Sequence, residues 1–370
     1  MYKKFFMGIA AMAALTLVSC SSDDLNSLSD NSSKNEAISF DGYLGRSAVS
    51  VNGSRGSELK IDDLKSTELD KKGFGVFGYY NSSATDHSSA LEQSFEANLF
   101  NNEQVTFPKD GADWTYTPLK YWPAQGHIDF YAYAPFETGK TLNKKTSATS
   151  TTTTTPTFNF TVEKNVTDQT DLLWANAENQ TKEKNSSNKV KFQFAHALSR
   201  LGYTVKLKEA SYESVATITL KRIALAGSAN EATKAFYKEG TIDLSKAPSS
   251  EGLWTNQSSD KQNFNWSSSD KTLSNAETKN PDNEYLFVIP QKFKTGSDQL
   301  YVIVEYTVTY KDGSAKPTVS YKVSQQLSYD FEQGKAYTIN LTIGLTPIEF
   351  NAAVTGWDPI TGTPIDTPLK

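Results

Sequence analysis

Hydrophobic and polar residues alternate with a period of two along most of the chain, the pattern of strands that bury one face. Ile38, Phe40 and Leu44 share one parity while Ser39, Asp41 and Tyr43 take the other, which predicts a half-buried strand over 38–44. Residues 74–80 form an aromatic run of strand length. Segments 114–118, 120–123 and 128–135 follow, each closed by a proline, which cannot donate to a ladder. Further strands are expected at 216–225, 285–289, 300–310, 337–343 and 348–354, the last with Ile348, Phe350, Ala352 and Val354 on one face. Val190, Phe192, Phe194, His196 and Leu198 hold one parity, whereas Leu201, Tyr203 and Val205 hold the other. A bulge or a sheet crossing between Ser199 and Gly202 would reconcile them, because a one-residue slip exchanges the two faces. Helical patterning is confined to 231–237 and parts of 59–69, and both are short.

The pattern therefore predicts an all-β protein with few short helices. Segment 146–156 is almost wholly Thr and Ser and has nothing to pack. Segment 176–189 is a second polar stretch and is expected to link two domains. On that reading residues 38–180 form an N-terminal β-sandwich domain and residues 187–370 a C-terminal one. Length agrees, since roughly 350 residues are long for one sandwich and natural for two. So does composition: 18 Tyr and 20 Phe dominate an aromatic content of 12%, and aromatics favour strands.

The N-terminus changes the picture. Lys3 and Lys4 precede an uncharged apolar stretch, 5–18, which is short for a membrane span and suits a signal-peptide core. It ends in Leu17-Val18-Ser19-Cys20, which resembles a bacterial lipobox. Cys20 is the only cysteine, so no disulfide framework accounts for it. Residues 1–19 are expected to be a cleaved signal peptide, and residues 20–37 a flexible tether rich in Ser, Asn and Asp. Lipid on Cys20 would tether the mature chain to a membrane surface rather than thread it through one.

Charge and motifs narrow the chemistry. The net charge is -5 and only Arg46, Arg55, Arg200 and Arg222 carry guanidinium groups, so no basic stripe is available for nucleic acid. No Gly-x-x-x-x-Gly-Lys-Ser/Thr phosphate loop, Gly-x-Ser-x-Gly elbow or His-Glu-x-x-His pair occurs. His87, His127 and His196 are far apart, and His196 on its apolar strand face reads as a core histidine. Neither a metal nor a cofactor is expected, and no catalytic residue is assigned. A glycosidase carboxylate pair has no signature in sequence.

Several motifs taken in order resemble the fimbrillin family of type V pili. They are Phe74-Gly75-Val76-Phe77-Gly78-Tyr79, Tyr121-Trp122-Pro123, Phe130-Tyr131-Ala132-Tyr133-Ala134-Pro135, Asp171-Leu172-Leu173-Trp174-Ala175, Phe194-Ala195-His196-Ala197-Leu198-Ser199-Arg200-Leu201 and Gly334-Lys335-Ala336-Tyr337-Thr338. The resemblance implies a non-enzymatic lipoprotein precursor with two sandwich domains of transthyretin-like topology, built into adhesive surface filaments. It also implies that an Arg-specific protease frees the first strand and that a neighbour's strand replaces it by β-augmentation. On that basis Ile38, Phe40 and Leu44 mark the removable strand. Arg55 best matches the processing site, with Arg46 as its rival, and Ile348, Phe350, Ala352 and Val354 mark the donor strand. Pro359, Pro364 and Pro368 would interrupt a longer donor. The partners implied are other fimbrial subunits, the outer membrane, and host or bacterial surface ligands. The alternative reading is a monomeric surface lipoprotein that binds glycans through exposed aromatics.

Overall fold

A computed structural model describes residues 36–44, 59, 61–65, 73–82, 99–108, 113–142, 156–185, 189–246, 253–255, 257–294, 296, 298–311, 318–345 and 349–356. The fold they build is β throughout. The N-terminal strands are β1 (Ser39–Leu44), β2 (Phe74–Asn81), β3 (Phe100–Val105), β4 (His127–Ala134), β5 (Thr157–Thr161), β6 (Leu173–Gln180) and β7 (Lys189–His196). All but β5 join one sheet in the order β1-β7-β6-β4-β2-β3, so β1 and β3 are its edges.

The remaining long strands are β8 (Ser199–Leu207), β9 (Ala216–Ala226) and, after the short β10 (Phe236–Tyr237), β11 (Glu239–Asp243), β12 (Trp254–Thr255) and β13 (Lys261–Gln262), β14 (Phe264–Thr272). Beyond the short β15 (Thr278–Lys279), β16 (Leu286–Val288) and β17 (Gln291–Lys292) come β18 (Leu300–Tyr310) and β19 (Val319–Leu327). The chain closes with β20 (Asp330–Phe331), β21 (Lys335–Ile343) and β22 (Glu349–Gly356). Two sheets, β14-β9-β18-β19 and β15-β8-β21-β22, hold most of these strands. Their inward residues, among them Leu220, Ile223, Val302 and Val304 from the first and Leu201, Ile339 and Leu341 from the second, share one core. β18 supplies its inward residues by strict alternation, whereas β9 changes parity between Leu220 and Ile223, where its register against β18 shifts at a β-bulge; each buried Leu, Ile or Val contributes roughly 1.5–3 kcal/mol.

The N-terminal sheet is apolar on both faces. Phe40, Phe74, Val76, Phe100, Phe130, Phe192 and Phe194 pack on one side. Phe77, Tyr131, Tyr133 and Trp174 face the other way and join the larger core, where Tyr133 meets Phe158 of β5 at 5.4 Å. Every residue of β4 is consequently buried, as expected of a strand covered on both faces.

Two sequence expectations need correction. The stretch 176–189, expected to link two domains, carries the second half of β6, a turn and the first residue of β7. Because β7 lies between β6 and β1, a boundary at 180–187 would cut this antiparallel hairpin. The chain instead leaves the sheet at Ala197 and Leu198, both fully buried, and enters the other sheet at Ser199. This sheet crossing explains why the apolar parity changes there. Residues 231–237 are not helical. Glu231 sits at φ 65, a left-handed conformation that cannot continue a right-handed helix, and Arg222 draws its carboxylate into an ion pair. Among the described residues the α-helices are α1 (Ile61–Leu64), inside the expected 59–69, and α2 (Tyr212–Val215), with one 3-10 turn at Val166–Asp168.

A strand-filled aromatic groove as the candidate assembly site

β1 occupies the edge of the N-terminal sheet. It runs parallel to β7, with Phe40 opposite Val190 and Leu44 opposite Phe194. Its inward residues fill an aromatic groove: Ile38 and Phe40 are each 1% exposed. The Phe40 ring meets Phe100 at 5.3 Å, Phe130 at 5.4 Å, Tyr116 at 5.5 Å and Phe192 at 5.6 Å, the last in a stacked arrangement. Rings offset or tilted at these separations attract beyond simple burial. Outward on the same strand, Tyr43 is 43% exposed and its phenol donates to the Asp41 carboxylate.

A second segment grips the start of the strand. The Ile38 N–H donates to the Lys120 carbonyl at 2.8 Å, and the Trp122 N–H to the Glu36 carbonyl at 3.2 Å. The Tyr116 phenol donates to the Ile38 carbonyl at 2.7 Å. Burial pushes that phenol up to about 12, so it remains a protonated donor across the neutral range.

The strand is covered from above by α1, whose Leu64 is buried in the same cluster as Phe40 and whose Ile61 packs against that cluster. Just before α1, the Leu59 N–H donates to the Asp171 carboxylate at 2.9 Å. Asp171 is fully buried, and its carboxylate also meets His196 Nδ1 at 2.9 Å. His196 is thus a core histidine held by a carboxylate. Asp171 carried no sequence signal of this role, since its partners come from 112 residues before and 25 residues after it. Gly42 was also overlooked, although it shares the parity of Ile38, Phe40 and Leu44 and is buried.

The other expected site residues divide into two groups. Cys20, Arg46, Arg55 and Ile348 lie outside the described residues. Phe350, Ala352 and Val354 lie on β22, the edge strand whose backbone pairs antiparallel with β21, Phe350 opposite Leu341 and Val354 opposite Tyr337. Among the described residues no group of three or more His, Cys, Asp or Glu could hold a metal ion. Tyr43 and Tyr121 are the exposed aromatics of that set.

A family model described as fimbrillin-like matches residues 62–357. The chain belongs to the fimbrillin-like family. A fimbrial protein from Bacteroides vulgatus superimposes on this fimbrillin-like chain with a TM-score of 0.66 at 23% identity, over 87% of this chain and all of the other. The two share a fold. Two further solved structures are described as candidate cell adhesion proteins. The one from Bacteroides uniformis has a TM-score of 0.42 at 18% identity, over 77% of this chain and 91% of its own. The one from Bacteroides ovatus has a TM-score of 0.44 at 16% identity, over 87% and 98%. No curated protein sequence matches this fimbrillin-like chain.

Proposed function

We propose that this chain is a structural and adhesive subunit of a cell-surface fimbria, exported as a lipoprotein anchored through Cys20, and that it is not an enzyme. One observation carries the reading: an edge strand, β1, fills an aromatic groove and is followed in sequence by Arg46 and Arg55, both upstream of Leu59, whose N–H donates to the Asp171 carboxylate. Cleavage at either arginine leaves β1 attached only by non-covalent contacts. Its loss would expose unpaired donors and acceptors on β7 together with the rings around Phe40, so refilling the groove is strongly driven.

A neighbouring subunit's C-terminal strand is the proposed replacement. One parity of its sequence repeats the inward set of β1 in order: Ile348 for Ile38, Phe350 for Phe40, Ala352 for Gly42 and Val354 for Leu44. To donate, the strand would leave β21, exchanging one ladder for another. The same proposal divides the chain into two sandwich domains of transthyretin-like topology.

The combined variant Arg46→Ala and Arg55→Ala tests the reading. It should keep the circular dichroism spectrum of the parent and form no filaments under the electron microscope. Normal filaments from the folded double variant would overturn it. The glycan-binding alternative predicts instead a strictly monomeric protein that is retained on a glycan array.

A further inference from the structure

Gly42 is an inward, buried residue of β1 with little room for a side chain. A Cβ built on Gly42 would lie 3.3 Å from Ile61 Cδ1 and 3.3 Å from Phe194 Cε2. Phe194 is buried on the neighbouring strand, and Ile61 stands on α1 above the groove. One methyl fits here only if Ile61 or Phe194 yields by a few tenths of an ångström. A side chain with a γ-carbon has to push one of them aside, and overpacking a filled core is costly.

The clamp is attached to the subunit independently of β1. Leu59, directly upstream of α1, is tied to the buried Asp171 carboxylate, and Leu64 anchors the helix in the cluster around Phe74 and Phe194. Cleavage at Arg46 or Arg55 cuts the chain before Leu59. Ile61 would therefore remain over the groove after β1 has gone.

We propose that Ile61 and Phe194 form a steric gate at the Gly42 position, which admits only glycine or alanine as the third inward residue of any strand entering the groove. The occupant is a second copy of this chain, and the inference rests on the strand-replacement reading above. The gate selects the register. With Ile348 in the place of Ile38, Phe350 enters the ring cage of Phe40 and Ala352 meets the gate. A shift of two residues toward the C-terminus would bring Val354 to the gate and Ala352 into the ring cage, losing at both positions. A one-residue slip would turn the apolar set outward.

The test uses full-length protein clipped by an arginine-specific endoprotease, with labelled peptides competing for the groove. A peptide of residues 37–45 should exchange into the clipped protein, and its Gly42→Leu form should bind about ten-fold to a hundred-fold more weakly, equivalent to about 1.4–2.7 kcal/mol of overpacking. Clipped Ile61→Ala protein should recover most of that loss, which separates a gate from a peptide that has lost its strand conformation. Equal binding of both peptides, or no recovery in Ile61→Ala, would overturn the gate. A peptide of residues 347–357 and its Ala352→Leu form test the donor separately. Its entry with the same discrimination supports both readings. If the 37–45 pair discriminates and the 347–357 peptide does not enter, the gate stands and the C-terminal donor is refuted. If the 347–357 peptide and its Ala352→Leu form enter equally, the donor stands and the gate is refuted.

Discussion

The Tyr116 phenol donates a 2.7 Å hydrogen bond to the backbone carbonyl of Ile38, across 78 positions of sequence. Lys120 accepts the N–H of the same residue at 2.8 Å. Both polar backbone groups of Ile38 are therefore held by the 116–122 segment, while the following residues run along β7. The removable strand is gripped at its beginning from one side and along its length from the other.

Tyr116→Phe removes that phenol while keeping the ring that packs on Phe40 and Phe100. An uncompensated buried hydrogen bond of this kind costs about 1–2 kcal/mol. Urea unfolding of the full chain should show a loss of that size, and the clipped form should release its N-terminal fragment faster. A variant as stable as the parent would mean that the contact contributes nothing.

Phe40→Ala empties the middle of the ring cage. Phe-to-Ala changes in filled cores cost about 3–5 kcal/mol, whereas Tyr43→Ala on the exposed side of the same strand should stay within roughly 0.5 kcal/mol. Thermal denaturation of the two variants side by side measures the contrast. Similar losses for both would contradict the buried placement of β1.

Cys20→Ala concerns the anchor. If lipid on Cys20 holds the protein to the membrane, this variant should leave the detergent phase for the soluble fraction. Unchanged partition would refute lipid anchoring.

The acid limb of stability depends on Glu231. Hydrogen bonds from Arg222, and then from Lys322, hold its carboxyl down at about 2. A lowered folded value means the contribution is present above the ordinary carboxylate range near 4.5 and is lost as the pH falls toward about 2. The group is partly open to solvent, so screening keeps this to about 1 kcal/mol. Glu231→Gln should be less stable than the parent at neutral pH by that amount, and the gap should close as the pH falls from 4.5 to 2. A constant gap over that range would rule out this origin.

The period-two alternation made β1 and β18 legible from sequence, because a half-buried strand writes its two faces directly into residue order. The change of parity after Leu198 likewise announced the sheet crossing at Ala197 and Leu198. Polar composition misled at 176–189, where a hairpin turn and a half-exposed strand end look like a linker until their pairing partners are known. Residues 231–237 misled for a similar reason, since the left-handed backbone at Glu231 and the pairing of Phe236 and Tyr237 with β13 are not visible in residue order.

What the residue order determined alone was the all-β class, the inward set Ile38, Phe40 and Leu44, and the resemblance that pointed to a fimbrial subunit. Each is a property of neighbours in the chain. The tertiary structure alone decided that Phe40 sits in a cage of Phe100, Tyr116, Phe130 and Phe192, that Asp171 ties down Leu59 beside His196, and that Ile61 crowds Gly42. These contacts join positions far apart in sequence, and pairing and packing in three dimensions brought them together.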